Sequence, residues 1–594
     1  MTRAADVADR LFPAIRELED YLGDPACSEA TVSYEQMAAL DEAEEFPDAA
    51  YALLDGWGVQ DYYVPPAVGG RARSLEDVLL VLRTLARRDL TLTIAHTKTA
   101  LGCIGVWVGG SPAQQRTLAD LVMRDVVPVA LGLTERDVGA DLAQVTVTAT
   151  PRAGGYVLRG EKWLVNNATR SRALTVLGRV TGDGGRALPT LFLVDKARLD
   201  AAAYTCTPKI RTLGIRAADM SGIRFADAFV PADAVVGEPG SGLSTVLRGL
   251  YVTRSMIPGL SLGAADTALR CSVDFALGRR LQGGRVWDLP HARQTLTEAY
   301  ADLLACECLA LATARSLNVL PAQMCMASAA SKYFVPATSE AIVKTLAAIL
   351  GARSYTRLDH WHGAFQRLMR DNAVPPIFDG STIVNLHALG LQLRALPFLR
   401  RRAPALGGQE PMHAIFRVGA PVEPWDPRRL QVSMDGPLLY MERLDELADA
   451  VGARHAGLGA LAREIVAGVA GVEADIQALN ARDARAAARS YALIEYARRY
   501  CAYCAGVASL RTWLESGERL GGDFARGDWL VVALGRLLRP GRVDPSPDYL
   551  ETIERVSADL LRRFEGRQAF SVVPLRLGEG AGRAAETPRQ ARAV

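Results

Sequence analysis

The chain has little cysteine, little net charge and no long run of uncharged apolar residues. Nine cysteines in 594 residues are too sparse for a disulfide framework, so we expect reduced thiols in a cytoplasmic protein. The formal net charge of +2 gives no overall attraction to nucleic acid or to an anionic membrane. The N-terminal segment predicts an amphipathic helix and lacks the apolar core of a signal peptide. No uncharged run reaches membrane-spanning length, so no membrane span is expected.

The chain is rich in apolar residues, and its texture changes twice. Apolar residues make up 49% of 594 residues, which predicts large cores and three or four domains. Short runs broken by Gly, Pro and Asp, such as "AQVTVTATP" and "TLFLVD", predict strands in the second quarter of the chain. Segments such as "GLSLGAADTALRCSVDFALGRR" have helical spacing and follow them. We therefore predict an α+β multidomain protein.

The predicted domains follow these changes of texture. An N-terminal helical domain precedes a central small β-barrel or sandwich, then a domain like a four-helix bundle, then an extra helical domain. The predicted bounds are 1–128 for the first helical domain, 129–236 for the β domain, 237–400 for the second helical domain, 401–435 for a linker, 436–572 for the helical extension and 573–594 for a disordered tail. The tail is predicted from its few apolar residues, which cannot bury a core.

Four sequence blocks occur in a fixed order. They are "LGLTERDVGADL" at 131–142, "GYVLRGEKWLVNNA" at 155–168, "LYVTRSMIPGLSLGAADTALRCSVDFALGRR" at 250–280 and "LMRDNAVPPIFDGST" at 368–382. Taken alone, the first and last would be interpreted as ordinary turns. Together, over roughly residues 50–400, they resemble the acyl-CoA dehydrogenase family. The last part of the chain resembles, in texture, the helical extension of longer branches of that family.

The resemblance implies a reaction and a cofactor. Members bind FAD between the β domain and the helices that follow it, and they remove an α-proton and a β-hydride from an acyl thioester. A carboxylate takes the proton and the flavin takes the hydride. The thioester is carried on CoA or on a carrier protein, a choice that the sequence leaves open, as it does the electron acceptor. Sharing of the nucleotide end between subunits implies a homodimer or a higher homo-oligomer.

The resemblance also assigns residues to the cofactor. These are Leu133, Thr134, Gly139, Leu164, Asn166, Arg279, Gly351 and Ser381. Two of them depart from the family pattern, since Asn166 stands where threonine is usual and Leu164 where an aromatic ring is usual. Different packing around the flavin is therefore expected.

On the substrate side, the resemblance assigns Arg254 and Ala140 to the thioester and Asp379 to the proton-abstracting base. Ala140 stands where the family usually has serine. The family places its glutamate either at the position of Asp379 or immediately before the arginine, which here is Thr253. Asp379 is thus the only carboxylate at either position, and it is shorter than glutamate by one bond, about 1.5 Å. A misplacement of about 1 Å can cost on the order of a hundredfold in rate.

Alternatives to desaturation stay open at this point. One is a flavin oxidase or monooxygenase of the same fold, including the nitroalkane-oxidising branch that uses aspartate. The other is a flavin- or DNA-binding member with vestigial catalysis, for which Arg482, Arg485 and Arg489 form a basic stripe at helical spacing. A solvated helix face is the ordinary interpretation of that stripe, and we do not expect nucleic-acid binding. No metal site is predicted, because "HWH" at 360–362 lacks partners at ligand spacing.

Overall fold

The structure is a computed structural model that describes residues 4–181, 187–402, 409–434, 436–482, 484–542 and 544–584. Its first region is helical. The helices are α1 (Ala4–Leu11), α2 (Pro13–Leu22), α3 (Tyr34–Ala43), α4 (Asp48–Trp57), α5 (Leu75–Ala86), α6 (Leu90–Gly109) and α7 (Pro112–Met123). The single amphipathic helix predicted at the N-terminus is divided in two, because Pro13 has no N–H to donate and instead begins a new helix.

The second region is a mixed β-sheet. Its strands are β1 (Val129–Gly132), β2 (Thr148–Arg152), β3 (Gly155–Asn166), β4 (Ala173–Thr181), β5 (Ala187–Asp195), β6 (Tyr204–Thr207), β7 (Met220–Pro231) and β8 (Val235–Val236). The strand order is β6-β7-β3-β2-β4-β5-β8, and β1 lies parallel to β4. The β3–β7 ladder is interrupted between Lys162 and Val165. Trp163 and Leu164 therefore lie outside the regular pairing of β3 with β7.

The third region is again helical. It contains α8 (Gly242–Met256), α9 (Pro258–Gly278), the short strands β9 (Arg280–Leu281) and β10 (Gly284–Arg285), α10 (Pro290–Val319), α11 (Met324–Leu350), α12 (Ala364–Asp371) and α13 (Thr382–Arg402). Helix α11 packs against α8, α9, α10 and α13. The stretch Pro321–Ser354 is long and apolar enough to cross a membrane by length and composition alone. Its packing inside this bundle accounts for that apolarity.

The helical extension packs on the third region. Its helices are α14 (Gln409–Phe416), α15 (Leu444–Arg454), α16 (Ala456–Arg482), α17 (Ala484–Ala487), α18 (Tyr491–Leu520), α19 (Gly522–Arg526), α20 (Asp528–Leu538) and α21 (Pro547–Glu565). Helix α18 contacts α10 and α13, and α20 and α21 contact α10. The predicted α+β architecture with an additional C-terminal helical region is confirmed. Helix α14 lies within the predicted linker, because Met412, Ile415 and Phe416 bury an apolar face there.

Residues 566–584, which we call the C-terminal strap, return to the first region. Val573, Leu575 and Leu577 are buried, which differs from the disordered tail predicted from residue 573. The apolar run "FSVVPL" gives this segment the core-forming residues that the composition of the last residues lacks. The rest of the predicted tail, 585–594, lies outside the described residues.

Candidate active site

Asp379 lies on a tight turn between α12 and α13. Asp379 and Gly380 have backbone φ angles of 61° and 90°, in the region that most side chains avoid. A Cβ atom added to Gly380 would lie 2.5 Å from Nη2 of Arg254, so a larger residue would displace that guanidinium as well as strain the backbone. Aspartate tolerates the left-handed region better than most residues because its side chain is short and polar. The turn thus accounts for an Asp-Gly pair at this place in the chain.

The two positions that the family uses for its base meet in space. The hydroxyl of Thr253 donates a hydrogen bond to Oδ2 of Asp379, although 126 positions separate them in the sequence. Nε of Arg254 donates to the backbone carbonyl of Asp379 at 2.8 Å, and both α8 residues are buried. Helix α8 therefore orients the carboxylate through Thr253 and holds the turn through Arg254.

Lys332 on α11 fastens the same loop. Its Nζ donates to the carbonyl oxygens of Pro375 at 2.6 Å and of Phe378 at 2.9 Å. Burial lowers the pKa of Lys332 to about 7, and the negative charge of Asp379 opposes that shift. The loop is thus anchored from α8 and from α11.

Lys98 on α6 approaches the loop from another side. Its Nζ lies 3.8 Å from the ring centroid of Phe378, over the ring face. Burial lowers the pKa of Lys98 to about 8, again opposed by Asp379. Sequence reasoning missed both lysines. The available signal was a single lysine in an otherwise uncharged apolar helix, as in "LTLTIAHTKTALGCIGVWVG".

The C-terminal end of β3 offers polar atoms that suit a flavin ring. Asn166 is buried, and within the described residues its Oδ1 has no hydrogen-bond partner. Its Nδ2 meets only the sulfur of Met220, at 3.2 Å. Nearby, the backbone carbonyl of Thr134 accepts a hydrogen bond from Trp163, and the φ angle of Leu164 is 51°. A buried amide whose oxygen is unpaired, beside an irregular strand segment, fits the polar edge of an isoalloxazine ring.

A buried ion pair positions the loop that carries Leu133 and Thr134. Nζ of Lys162 lies 2.7 Å from Oε1 of Glu135 and donates to the carbonyl oxygen of Leu133 at 3.1 Å. Glu135 also accepts hydrogen bonds from the backbone of Thr146 and Val147. Burial lowers the pKa of Lys162 to about 8, although Glu135 favours its charged form. The pair closes the loop independently of any bound group.

The remaining predicted site residues are more exposed. Gly139 and Ala140 lie on the surface of the loop, and a Cβ on Gly139 would meet no atom within 4 Å, so the fold itself does not require glycine there. Arg279 at the end of α9 and Gly351 at the end of α11 are exposed. Gly351 has a φ angle of 57°, which favours glycine. Ser381 is partly exposed, and its carbonyl oxygen accepts from the backbone of Asn385.

The "HWH" segment is held by packing. Nε2 of His360 hydrogen-bonds with the carbonyl oxygen of Cys271, and Nε1 of Trp361 donates to Asp274 at 3.0 Å. The Trp361 ring stacks on Tyr34 with centroids 5.3 Å apart. Within the described part of the chain, no group of three His, Cys, Asp or Glu residues could hold a metal ion.

The predicted basic stripe lies at the end of α16 and in the segment that follows it. Arg482 ends α16, Arg485 lies in α17, and Arg489 lies in the turn after α17. Arg489 therefore does not continue the helical spacing on which the stripe depended.

A cavity of about 560 Å³ lies away from Asp379, between α10, α11 and the extension. Arginines and tyrosines line part of it. Its arginines are already paired within the protein: Arg498 with Glu495, and Arg536 with Asp302 and Glu298. The cavity therefore presents little uncompensated charge to a ligand.

Comparison with known proteins identifies the two regions around Asp379 and Asn166. The family described as "Acyl-CoA dehydrogenase, middle domain" matches residues 130–228, and "Acyl-CoA dehydrogenase, C-terminal domain" matches residues 240–393. The protein named "Probable acyl-CoA dehydrogenase FadE25" of Mycobacterium tuberculosis is 25% identical over 344 residues, which cover 58% of this chain and 87% of its own. The benzylmalonyl-CoA dehydrogenase of Aromatoleum aromaticum is 32% identical over 258 residues, which cover 42% of this chain and 65% of its own.

Solved structures show the same fold. Butyryl-CoA dehydrogenase from Megasphaera elsdenii superposes with a TM-score of 0.58 and 21% identity, over 65% of this chain and 98% of its own. An acyl-CoA dehydrogenase from Bacillus anthracis, solved with FAD, superposes with a TM-score of 0.61 and 18% identity over 95% of both chains, and so includes the extension. The matched middle and C-terminal domains and the relatives show that this chain belongs to the acyl-CoA dehydrogenase family of oxidoreductases, and the solved structures show that it shares the fold.

Proposed function

We propose that the chain is an FAD-dependent dehydrogenase that desaturates an acyl thioester at its α,β bond, with Asp379 as the base. The observation that carries this proposal is the hydrogen bond between Thr253 and Asp379, which joins the family's two base positions in one place. Asp379 contributes the only carboxylate of that pair. The chain therefore keeps a base where the reaction needs one, on a shorter side chain.

The residues around Asp379 fit proton abstraction. One carboxylate oxygen accepts from Thr253, which leaves the other oxygen to approach the α-proton. Arg254 and Lys332 hold the backbone of the turn, so the carboxylate keeps its direction while the proton is transferred. Because a base must lie within hydrogen-bond reach of the proton that it removes, fixing the turn compensates in part for the short side chain.

The cofactor is proposed from the fit of Asn166 and its neighbours. When bound, FAD supplies the acceptor for the β-hydride. Asn166 and Thr134 would hold the polar edge of the ring system, and Leu164 would contact its apolar face. Gly139 and Ser381 are proposed to contact the rest of the cofactor, and Arg254 and Ala140 the substrate. Relatives with CoA in their names support an acyl-CoA as the first substrate class to test.

The test is anaerobic reduction of the bound flavin by a panel of acyl-CoA thioesters. We expect Asp379→Asn and Asp379→Ala to slow bleaching by about 10²- to 10⁴-fold, the range of a general base. Asp379→Glu should keep a measurable rate because it retains the carboxylate. The rate should stay below that of the wild type because glutamate fits the left-handed turn less well. Glu340→Gln, an exposed substitution on α11, is the control and should leave the rate unchanged.

Two results would contradict the proposal. A purified chain that takes up no FAD would remove the dehydrogenase assignment, and unchanged bleaching in Asp379→Ala would remove the base. Oxygen consumption with peroxide release, in place of dependence on an electron acceptor, would instead identify a flavin oxidase of the same fold.

We further propose a homodimer in which Arg279 and Gly351 serve the partner's cofactor. Both residues are exposed at helix ends, and Arg279 has no ion pair among the described residues. A guanidinium at a surface of this kind suits the pyrophosphate of FAD. We expect Arg279→Glu to weaken FAD retention by about 10- to 100-fold. Fluorescence titration measures the loss of FAD affinity, and light scattering measures the mass of the protein in solution. A monomeric protein that retains FAD would exclude this arrangement.

A further inference from the structure

The loop that carries Asp379 is surrounded by more positive than negative charge. Arg254, Lys98 and Lys332 each interact electrostatically with Asp379. Within the described residues, none of these cations forms an ion pair with the carboxylate. Asp379 therefore does not neutralise any of these three cations by direct contact.

Two of the three cations have acceptors of their own. Lys332 donates to two carbonyl oxygens of the loop, and Arg254 donates to the carbonyl oxygen of Asp379. Lys98 differs, since in the described part of the chain its ammonium contacts only the face of Phe378. An aromatic face attracts a cation but accepts no conventional hydrogen bond, and an ammonium has three protons to donate. Lys98 is half-buried, and an ammonium that loses part of its hydration without gaining acceptors is costly, so Lys98 calls for an additional partner.

Lys98 lies on the part of α6 that separates the sheet from the catalytic loop. Nδ2 of Asn167 donates to the carbonyl oxygen of Ala95 at 2.7 Å, and Thr91 donates to Asp371 at 2.8 Å. Lys98 follows Ala95 by about one helical turn and projects toward Phe378. It therefore faces the region between the residues proposed for the flavin and the proposed base.

We propose that Lys98 binds a second anionic group on the acyl portion of the substrate, so that the chain acts on monothioesters of dicarboxylic acids. The proposal rests on the function proposed above. A base must reach the α-proton, so an anion beside the Asp379 loop belongs to the acyl group and not to the distant phosphates of the carrier. An unsubstituted acyl chain and its thioester carbonyl are neutral and would leave the ammonium uncompensated.

The experiment compares matched pairs of substrates. Dicarboxylic and unsubstituted acyl-CoAs of equal carbon number, from four to seven carbons, are tested for flavin reduction with the FAD-loaded protein at pH 7. We expect Lys98→Met to lower the ratio of dicarboxylic to neutral kcat/KM by about 10- to 100-fold, and Lys98→Arg to preserve most of that ratio. Lys344→Met, which removes an exposed lysine from α11, should leave both rates unchanged.

A binding measurement separates this proposal from the proposed reaction. The same pairs are made as CoA thioethers, which lack the carbonyl that acidifies the α-proton, and their affinities are measured by calorimetry. If no thioester reduces the flavin but thioether affinity still depends on Lys98 and on the carboxylate, the proposed reaction fails and the anion site stands. If neutral and dicarboxylic ligands are treated alike by the wild type, the anion site fails and the reaction stands. An equal loss for both classes in Lys98→Met would also overturn the anion site, since it indicates a role toward the base.

The pH dependence gives a further check. The pKa of Lys98 is about 8, so the preference for dicarboxylic ligands should decline as the pH rises through about 8. The charged groups that act on Lys98 are Asp379 and Lys332, and the pKa of Lys332 is about 7, so most of its charge is lost before the pH passes 8. A preference unchanged between pH 7 and pH 9.5 would contradict the assignment of Lys98.

Discussion

At the scale of single residues, backbone conformation explains why aspartate stands at position 379, where the family usually has glutamate. Asp379 lies in the left-handed region together with Gly380, and the Arg254 side chain fills the space beside the glycine. A longer acid loses the local advantage that aspartate has in such a turn. Asp379 and the glycine are thus parts of one feature, and Thr253 completes it by holding the carboxylate.

Gly380 offers a direct test of this turn. We expect Gly380→Ala to destabilise the protein by about 1–3 kcal/mol, because the residue has a positive φ angle and the new methyl group meets Arg254. Urea unfolding measures the change. Gly139→Ala is the matched control, since its Cβ meets no atom within 4 Å, and it should leave stability unaltered. Equal effects of the two substitutions would show that the turn is not constrained in this way.

At the scale of elements, the C-terminal strap is held by a buried charge network. Arg83 on α5 pairs with Glu307 on α10 at 2.6 Å and with Asp266 on α9 at 3.1 Å. Glu307 also accepts from the Ser571 hydroxyl and the Val572 amide, and Asp266 accepts from the amide of Phe570. The strap therefore supplies hydrogen bonds without which two buried carboxylates would be under-satisfied.

We expect Glu307→Gln to destabilise the protein by about 3–5 kcal/mol, because it leaves Arg83 buried with one carboxylate partner fewer. Glu554→Gln breaks an exposed pair with Arg293 and should cost less than about 1 kcal/mol. Denaturant unfolding of the two variants side by side measures the difference. Similar values for both would mean that the network contributes no more than a surface ion pair.

At the scale of the whole molecule, the strap is joined to the first helices of the described chain. The amide of Asp24 donates to the carbonyl oxygen of Gly580 at 2.8 Å, and the amide of Arg583 donates to that of Tyr21 at 2.9 Å. Arg576 pairs with Asp6 and Asp9 on α1. The extension covers the bundle on one side, and the strap connects the extension to the first region. We therefore expect the regions to unfold together.

We expect a chain ending at residue 565 to unfold at a lower temperature than one ending at 584, because it loses the strap and exposes the Arg83 network. Calorimetry compares the two chains, with FAD added in excess to both. A single transition in the longer chain supports coupling of the regions. Two separate transitions in the longer chain, or no shift on shortening, would show that the extension and the first region are independent.

The sequence by itself determined the resemblance to the family, the order of helical and β regions and the position of the proposed base, because these depend on local spacing and on short motifs. It did not reveal Lys98, the anchoring role of Lys332 or the packing of the strap, because each depends on contacts between residues far apart in the chain. The strap looked like a tail because its apolar residues are few and because its partners, which include Arg83 on α5, Asp266 on α9 and Glu307 on α10, lie far away in the chain. Likewise, the tertiary structure alone decided that Thr253 and Asp379 share a hydrogen bond, since helix packing, not spacing, brings those two positions together.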